Sequence, residues 1–329
     1  DRGTCAISLK VSNGAAGGAL SVIVANNAAQ APGDLPPDFS YGGGAPNVPG
    51  FSITRADGAA LKSVLGATAA INPASAVPLV ANMVSSSSRG PTFSRNSIKP
   101  DVAAPGASVS AEVGTGTGTT AFGGTSGAAP MVAGSAALLL KARPGLSPTE
   151  VKALLMNTGE TNIGLNPVGL PGVLAPITRI GRGEVRINKA VASRTAAWGK
   201  DDGEGSLSFG YDPISKSGKL KKKVVVRNYG ASARTYAITP AFRYADDAAS
   251  GAVKVKAPSS ISVAAGGSRE FEVELSIDPA KLPVWTLNGG ARGGDGYRLQ
   301  GVEFDGYLNL DGGPNNTVHV AWHVLPHRA

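Results

Sequence analysis

The sequence predicts an α/β region followed by an all-β domain, and three observations carry that reading. Short apolar strands stand beside helix signals in the first 199 residues, whereas alternating apolar and polar residues recur through 200–329. Glycine and proline number 45 and 23 among 329 residues, which favours many tight turns over long helical bundles. Hydrophobic residues make up 42% and charged residues 16%, enough apolar surface to exclude general disorder and to fill the cores of two or three domains. No apolar run reaches the roughly 18 residues of a membrane-spanning helix.

Residues 1–79 read as a small α/β unit. A short helix is expected over 7–19 and a compact buried strand over 20–25. A Pro-, Gly- and Asp-rich loop follows over 26–49, then a strand over 51–54. Thr54 with Asp57 three residues on has the form of a capping box, opening a helix through Ala60, Leu61, Val64 and Leu65.

Residues 80–197 form the second region. A polar turn over 85–91 precedes a short strand over 99–106, bounded by Pro100 and Pro105, and a Gly/Thr loop over 114–124. The apolar, small-residue stretch 130–141 reads as a helix buried all round. A further helix is signalled by Ser147 as N-cap, Pro148 at the first position and Glu150 completing the box, with Val151, Leu154 and Leu155 as its apolar face. Gly181-Arg182-Gly183 precedes a last short segment ending near Val191.

Residues 198–329 read as a β-sandwich with one solvated face. Strands are expected over 223–226, 236–239, 253–256, 271–277, 304–310 and 318–324. The alternation of Phe271, Val273 and Leu275 with Glu270, Glu272 and Glu274 is the clearest example.

The chemistry centres on Gly123-Gly124-Thr125-Ser126-Gly127-Ala128-Ala129-Pro130-Met131-Val132-Ala133-Gly134. A glycine turn delivers Ser126 to the start of a helix, whose free N–H groups and positive dipole end favour an oxyanion. A helix-capping serine is the simpler reading of Gly-Thr-Ser alone. The longer string, however, resembles the active-serine signature of the subtilisin-like serine peptidases: Gly124-Thr125-Ser126, Ala128, Pro130 and the small pair Ala133-Gly134. That family usually has Met at Gly127 and His at Met131, and the glycine is expected to loosen the turn after the nucleophile. Ser88-Arg89-Gly90-Pro91 and the segment 99–106 resemble the family's upstream segments, in the same order.

The flanks extend the resemblance. Arg2-Gly3-Thr4-Cys5, Lys10, Gly17-Gly18-Ala19, Asn26-Asn27 and the run 53–62 resemble a protease-associated (PA) domain, which in these peptidases is inserted ahead of the serine segment. Residues 198–329 resemble, by position and strand pattern, a fibronectin-III-like domain. The resemblance thus implies the C-terminal part of a parallel-sheet peptidase core, placed between a partial PA domain and a β-sandwich.

By the same resemblance Ser126 is the nucleophile that forms an acyl-enzyme with polypeptide substrates, its own N–H is an oxyanion donor, and Thr125 and Gly124 shape the turn. The family's order is Asp, His, Ser, yet all three histidines here, His319, His323 and His327, follow Ser126. The Asp and His, the oxyanion-hole asparagine and most of the cleft are therefore expected before Asp1, in a missing N-terminal part of the same peptidase. A serine hydroxyl without a base in reach is a poor nucleophile, so this chain alone is expected to be inactive. The alternative is a non-catalytic, protein-binding remnant of PA and sandwich modules. An α/β-hydrolase elbow fails because Ala128 stands where a glycine is needed, and a dinucleotide motif around 114–118 fails at Ala121.

No organic cofactor is expected. Calcium is common in the family, but no ligand set stands out, and the late histidines read as strand and tail residues rather than metal ligands. Residues 1–199 carry 15 basic and 9 acidic side chains, and 200–329 carry 16 and 14. The one basic run, Lys219 and Lys221–Lys223, reads as a solvated strand start and not a nucleic-acid surface. Cys5, the single cysteine, excludes an internal disulfide; it is either a buried small hydrophobe or half of a bridge to something else. A secreted or cell-surface, bacterial location is the expectation that goes with the family.

Overall fold

The computed structural model describes residues 1–28, 48–64, 66, 68, 70–72, 74, 80–84, 87–92, 96–167, 170–214, 216–283 and 303–328. It divides into two compact units. One holds Asp1–Ser87, Ala104–Met131 and Gly164–Val173, and the other Ser88–Ala103, Val132–Ile163 and Leu174–Ala329.

In the first unit, α1 (Ile7–Ala16) and β1 (Val22–Ala25) share a small core of Ile7, Val11 and Val24. The helix stops three residues short of the expected end. Gly17 caps it and Gly18 adopts a left-handed φ of 88°, where glycine carries no steric penalty. β2 (Gly50–Ile53) runs parallel to β1. In α2 (Arg55–Ser63) the Thr54 hydroxyl oxygen accepts from the Asp57 amide at 3.0 Å, the cap that the sequence signals. The helix seats closely on β1 because residue 58 is glycine: a Cβ there would lie 2.3 Å from that of Ala25. Leu65 and most of the loop 26–49 lie outside the described residues, as do Ser85 and Ser86 of the polar turn.

Three expectations are corrected in the peptidase-like stretch. The Gly/Thr loop is half strand. β3 (Ala107–Ala111) and β4 (Thr119–Gly123) form an antiparallel hairpin with Ala107 opposite Gly123, and only 112–118 are left to turn. The β-branched pair Thr119-Thr120 and Phe122 favour extended backbone over loop. The expected strand over 99–106 is reduced to isolated bridges, Val102 to Gly181 and Ala103 to Glu184, because no described strand lies alongside to continue a ladder. Among the described residues there, parallel pairing is limited to the bridges Asn82–Gly164 and Ala103–Glu184.

The third correction concerns α3 (Thr125–Ala142). It begins five residues earlier than expected and is not buried all round. Ser135 and Leu139 are buried, but Leu138 and Leu140 are 59% and 44% exposed, and Ala129, Ala133 and Ala137 are exposed too. Its apolar surface exceeds what the described residues cover.

The second unit is built on α4 and the β-strands. α4 (Pro148–Asn157) has the full capping box, with Ser147 and Glu150 bonding reciprocally. Its Val151, Leu154 and Leu155 pack with Leu139 and Ala196. β5 (Gly164–Asn166) and β6 (Leu170–Leu174) form a two-stranded sheet that belongs to the first unit but for Leu174, and in the second unit the short helices α5 (Ile177–Ile180) and α6 (Ile187–Ala192) lead to β7 (Thr195–Gly199).

The sandwich then runs β8 (Ser206–Ile214), β9 (Gly218–Asn228), β10 (Arg234–Phe242), α7 (Ala245–Ser250), β11 (Val253–Lys256), β12 (Ser260–Val263), β13 (Ser268–Ile277), β14 (Phe304–Asp311) and β15 (Thr317–Arg328). Its sheets have the orders β12-β10-β14-β15-β8 and β11-β13-β9-β7. Phe271, Val273 and Leu275 of β13 point into the core between them, with Tyr236, Leu308 and Trp322. The opposite face carries charge. Lys219 meets Glu274 at 2.8 Å and Lys221 meets Glu272 at 2.7 Å, so the basic run is one side of a cross-strand ladder. β7, β8 and β12 were not among the expected strands.

Candidate active site

Ser126 lies in the first turn of α3 and is exposed, as is Thr125. The β3–β4 hairpin brings the chain to it, and Gly124 makes the turn with φ +76°, the left-handed region that favours glycine. Gly124 O accepts from the amides of Gly127 (2.9 Å) and Ala128 (3.2 Å). The Thr125 and Ser126 amides have no partner among the described residues, and neither has the Ser126 hydroxyl. An unengaged first-turn amide at the positive end of a helix favours a developing oxyanion, and the hydroxyl beside it would still need a base to act as a nucleophile. Ser126 does not cap α3, since it already lies inside the helix. Pro130 has no amide hydrogen to give to the Ser126 carbonyl, which leaves this turn without its usual i to i+4 bond.

Gly127 is tightly enclosed, contrary to the loosened turn expected of it. A Cβ there would lie 2.9 Å from Ser108 Oγ, 3.1 Å from Gly106 O and 3.4 Å from Phe122 O. Glycine at this position lets the helix start approach the hairpin backbone.

The histidines belong to β15. His327 stacks on Tyr211, with ring centroids 5.9 Å apart. His319 Nε2 lies 2.9 Å from Arg182 O, and burial pushes its imidazole down to about 4. His323 is fully buried, 3.2 Å from Glu303 Oε1. They are strand residues as expected, yet His323 is core rather than tail. Among the described residues no cluster of three or more His, Cys, Asp or Glu could hold a metal ion.

Cys5 is exposed, which removes the buried-hydrophobe alternative. Lys10 Nζ, 3.0 Å from its sulfur, holds the thiol below its usual range.

Arg182 was singled out only as part of a Gly-Arg-Gly string, and it proves to be fully buried. Its Nη1 donates to the carbonyls of Pro100 (3.1 Å) and Asp101 (3.2 Å), fixing the segment that the resemblance placed upstream of the serine. Burial acts against the Asp101 carboxylate, but the Lys99 hydrogen bond with Arg182 and Lys152 outweighs it and holds the group low. Beside Asp101 and Lys152, a groove of about 540 Å³ is lined by Val132, Ala136 and Leu140 of α3 and Val151 and Leu155 of α4.

This arrangement has its counterpart among known proteins. Residues 8–211, more than half of the sequence, match the model of the subtilase family, Peptidase S8. The chain belongs to the subtilase family. It is 27% identical over 271 residues to the minor extracellular protease Vpr of Bacillus subtilis, covering 78% of this chain and 31% of that protein. It is 40% identical over 97 residues to the subtilisin-like protease SBT3.16 of Arabidopsis thaliana, covering 29% and 13%. The chain thus spans a third or less of the length of these curated relatives. Among solved structures, tripeptidyl peptidase 2 aligns with 73% of this chain and 21% of its own, at 14% identity and a TM-score of 0.37. Among the described residues no helix is long and apolar enough to cross a membrane.

Proposed function

We propose that this chain is the serine-bearing part of a secreted subtilisin-like endopeptidase that cleaves polypeptides through an acyl-enzyme on Ser126. The observation that carries the reading is the exposed serine in the first turn of α3, with its own amide unengaged and Gly124 turning the chain into it. Ser126 Oγ would bond to the scissile carbonyl carbon, giving up its proton to a base. The amine would leave with that proton, and water would then release the acyl group. The Ser126 N–H would donate to the oxyanion, with Thr125 and Gly124 holding the turn.

The base and its carboxylate would come from a part of the same peptidase outside this sequence, since no histidine precedes Ser126. The exposed Leu138 and Leu140 and the apolar groove beside α3 support such a partner, because a peptidase core would cover them. We assign residues 1–79 to a PA domain, 80–197 to the peptidase domain and 198–329 to a fibronectin-III-like sandwich, the flanking domains biasing which proteins reach the cleft. The extracellular character of the Vpr relative supports secretion.

The test has two arms. In the full-length peptidase Ser126→Ala should abolish proteolysis and leave the folded state unchanged, and retained turnover would sink the assignment. The 329-residue chain alone should resist a serine-reactive fluorophosphonate, and labelling at Ser126 would show that it needs no outside base.

A further inference from the structure

The sandwich meets the peptidase-like segments of its own unit through a buried charged cluster. Glu303, Asp305 and His323 are all 1% exposed or less. Asp305 and His323 are direct cross-strand partners on β14 and β15. Arg89, from the Ser88-Arg89-Gly90-Pro91 turn, donates through Nη2 to Glu303 Oε2 and to Thr178 Oγ1, both at 2.8 Å. The Thr178 hydroxyl in turn donates to Glu303 Oε1, and His323 Nε2 lies 3.2 Å from that oxygen. The Ile177 amide donates to Asp305 Oδ2 at 2.7 Å. Two carboxyls, Glu303 just before β14 and Asp305 within it, thus hold the Arg89 turn and the start of α5.

The charges around the two carboxyls do not balance. Glu303 has Arg89 in contact and His323 beside it. Asp305 has no cation within ion-pair distance among the described residues. Arg243, whose charge acts on Asp305 without pairing with it, is committed to the carbonyls of Thr161, Ile163 and Ala175. The other groups facing Asp305 are the Glu303 carboxylate, buried Asp247 and the Tyr307 phenol, none of them cationic. Asp305 Oδ1 and His323 Nδ1 are buried without a hydrogen-bond partner among the described residues. An ionised carboxylate in such a place is strongly disfavoured, so the neutral acid is the form that fits.

We propose that the Glu303–Asp305–His323–Arg89 cluster is a proton-dependent latch, which fastens β14 and β15 to the Arg89 turn and the Ile177 segment while Asp305 is protonated and loosens when it ionises. Burial and the neighbouring Glu303 charge push the Asp305 carboxyl well above the usual carboxylate range, in line with this geometry. The folded state then keeps a proton that the unfolded chain has already released. Stability is fully present below the ordinary carboxylate value and is lost as pH rises toward the folded one. The latch does not depend on Ser126 being a nucleophile.

The experiment is urea unfolding of the 329-residue chain from about pH 4 into the alkaline range, followed by near-ultraviolet circular dichroism and read as the difference between wild type and Asp305→Asn. In the wild type the unfolding constant should rise with pH, by up to about tenfold per pH unit for one proton. Asp305→Asn keeps an acceptor for the Ile177 amide and cannot ionise, so its unfolding constant should lack that rise. An equal pH slope in the two proteins overturns the latch. Should Asp305→Asn fail to fold, carboxyl carbon-13 titration of the wild type decides: a midpoint for Asp305 in the ordinary carboxylate range overturns it, and a raised midpoint that falls in Glu303→Gln upholds it.

Discussion

Asn157, the last residue of α4, offers a direct test of how the second unit is held together. Its side chain is fully buried. Oδ1 accepts from the Ala197 amide at 2.7 Å and Nδ2 donates to the His319 carbonyl at 3.0 Å. β7 is an edge strand, so the Ala197 amide, which does not face β9, needs a partner from elsewhere. Asn157→Ala would strand one buried donor and one buried acceptor at once. Each such group costs about 1–3 kcal/mol, so the pair should lower unfolding free energy by about 4 kcal/mol. Urea denaturation at constant m-value reads this directly as a lower midpoint. A loss below about 1 kcal/mol would refute the reasoning, because it would mean that water replaces the amide and that the contact between α4, β7 and β15 is not closed.

The other predictions concern pH and two glycines. The His319 imidazole, lowered to about 4 by burial, is neutral in the folded state, while the unfolded chain takes up a proton near 6.5. Stability is therefore present above about pH 6.5 and lost as pH falls toward 4, by up to about 3 kcal/mol, an upper bound because the ring is only part-buried by exposure. His319→Gln should flatten unfolding free energy between pH 6.5 and 4, and an unchanged acid slope would assign that loss to other groups. Gly127→Met should destabilise by about 1 kcal/mol net, since overpacking against Gly106 O and Phe122 O exceeds the gain in helix propensity; calorimetric unfolding checks it. Gly134→Ala, with nothing within 4 Å of the added carbon, should stabilise the 329-residue chain by about 0.5–1 kcal/mol, and a lower melting temperature would show that its side of α3 is already covered.

Much of this was legible in the sequence where one local rule decides a residue. The Thr54 and Ser147 caps and the alternation of β13 depend on neighbours a few positions away or on a simple strand period, and each appears in place. Ser126 was found through a string of small residues whose spacing is itself local. The buried polar residues were not legible. Arg182 meets Pro100, Arg89 meets Glu303 and Asn157 meets His319 across more than 80 positions, and nothing in the local pattern marks such a residue as interior. β7 and β12 are not legible for a related reason: Thr195-Ala196-Ala197 and Ser260-Ile261-Ser262 carry few large apolar residues, and sheet partners rather than their own composition make them strands.

Helix α3 joins these two lessons. Its composition calls for burial on every side, and the described residues bury only Ser135 and Leu139 beyond its first turn. A helix with Leu138 and Leu140 open to water is unfavourable by the area it leaves uncovered, so its composition answers to contacts that the described residues do not supply. The same helix carries Ser126 at its N-terminal end, with an unengaged hydroxyl and no histidine earlier in the sequence to activate it. Both deficits, one of packing and one of chemistry, fall on a single element. One partner that covered the apolar face of α3 and brought a base to its first turn would remove both. The proposed peptidase therefore predicts that covering α3 and activating Ser126 are one event.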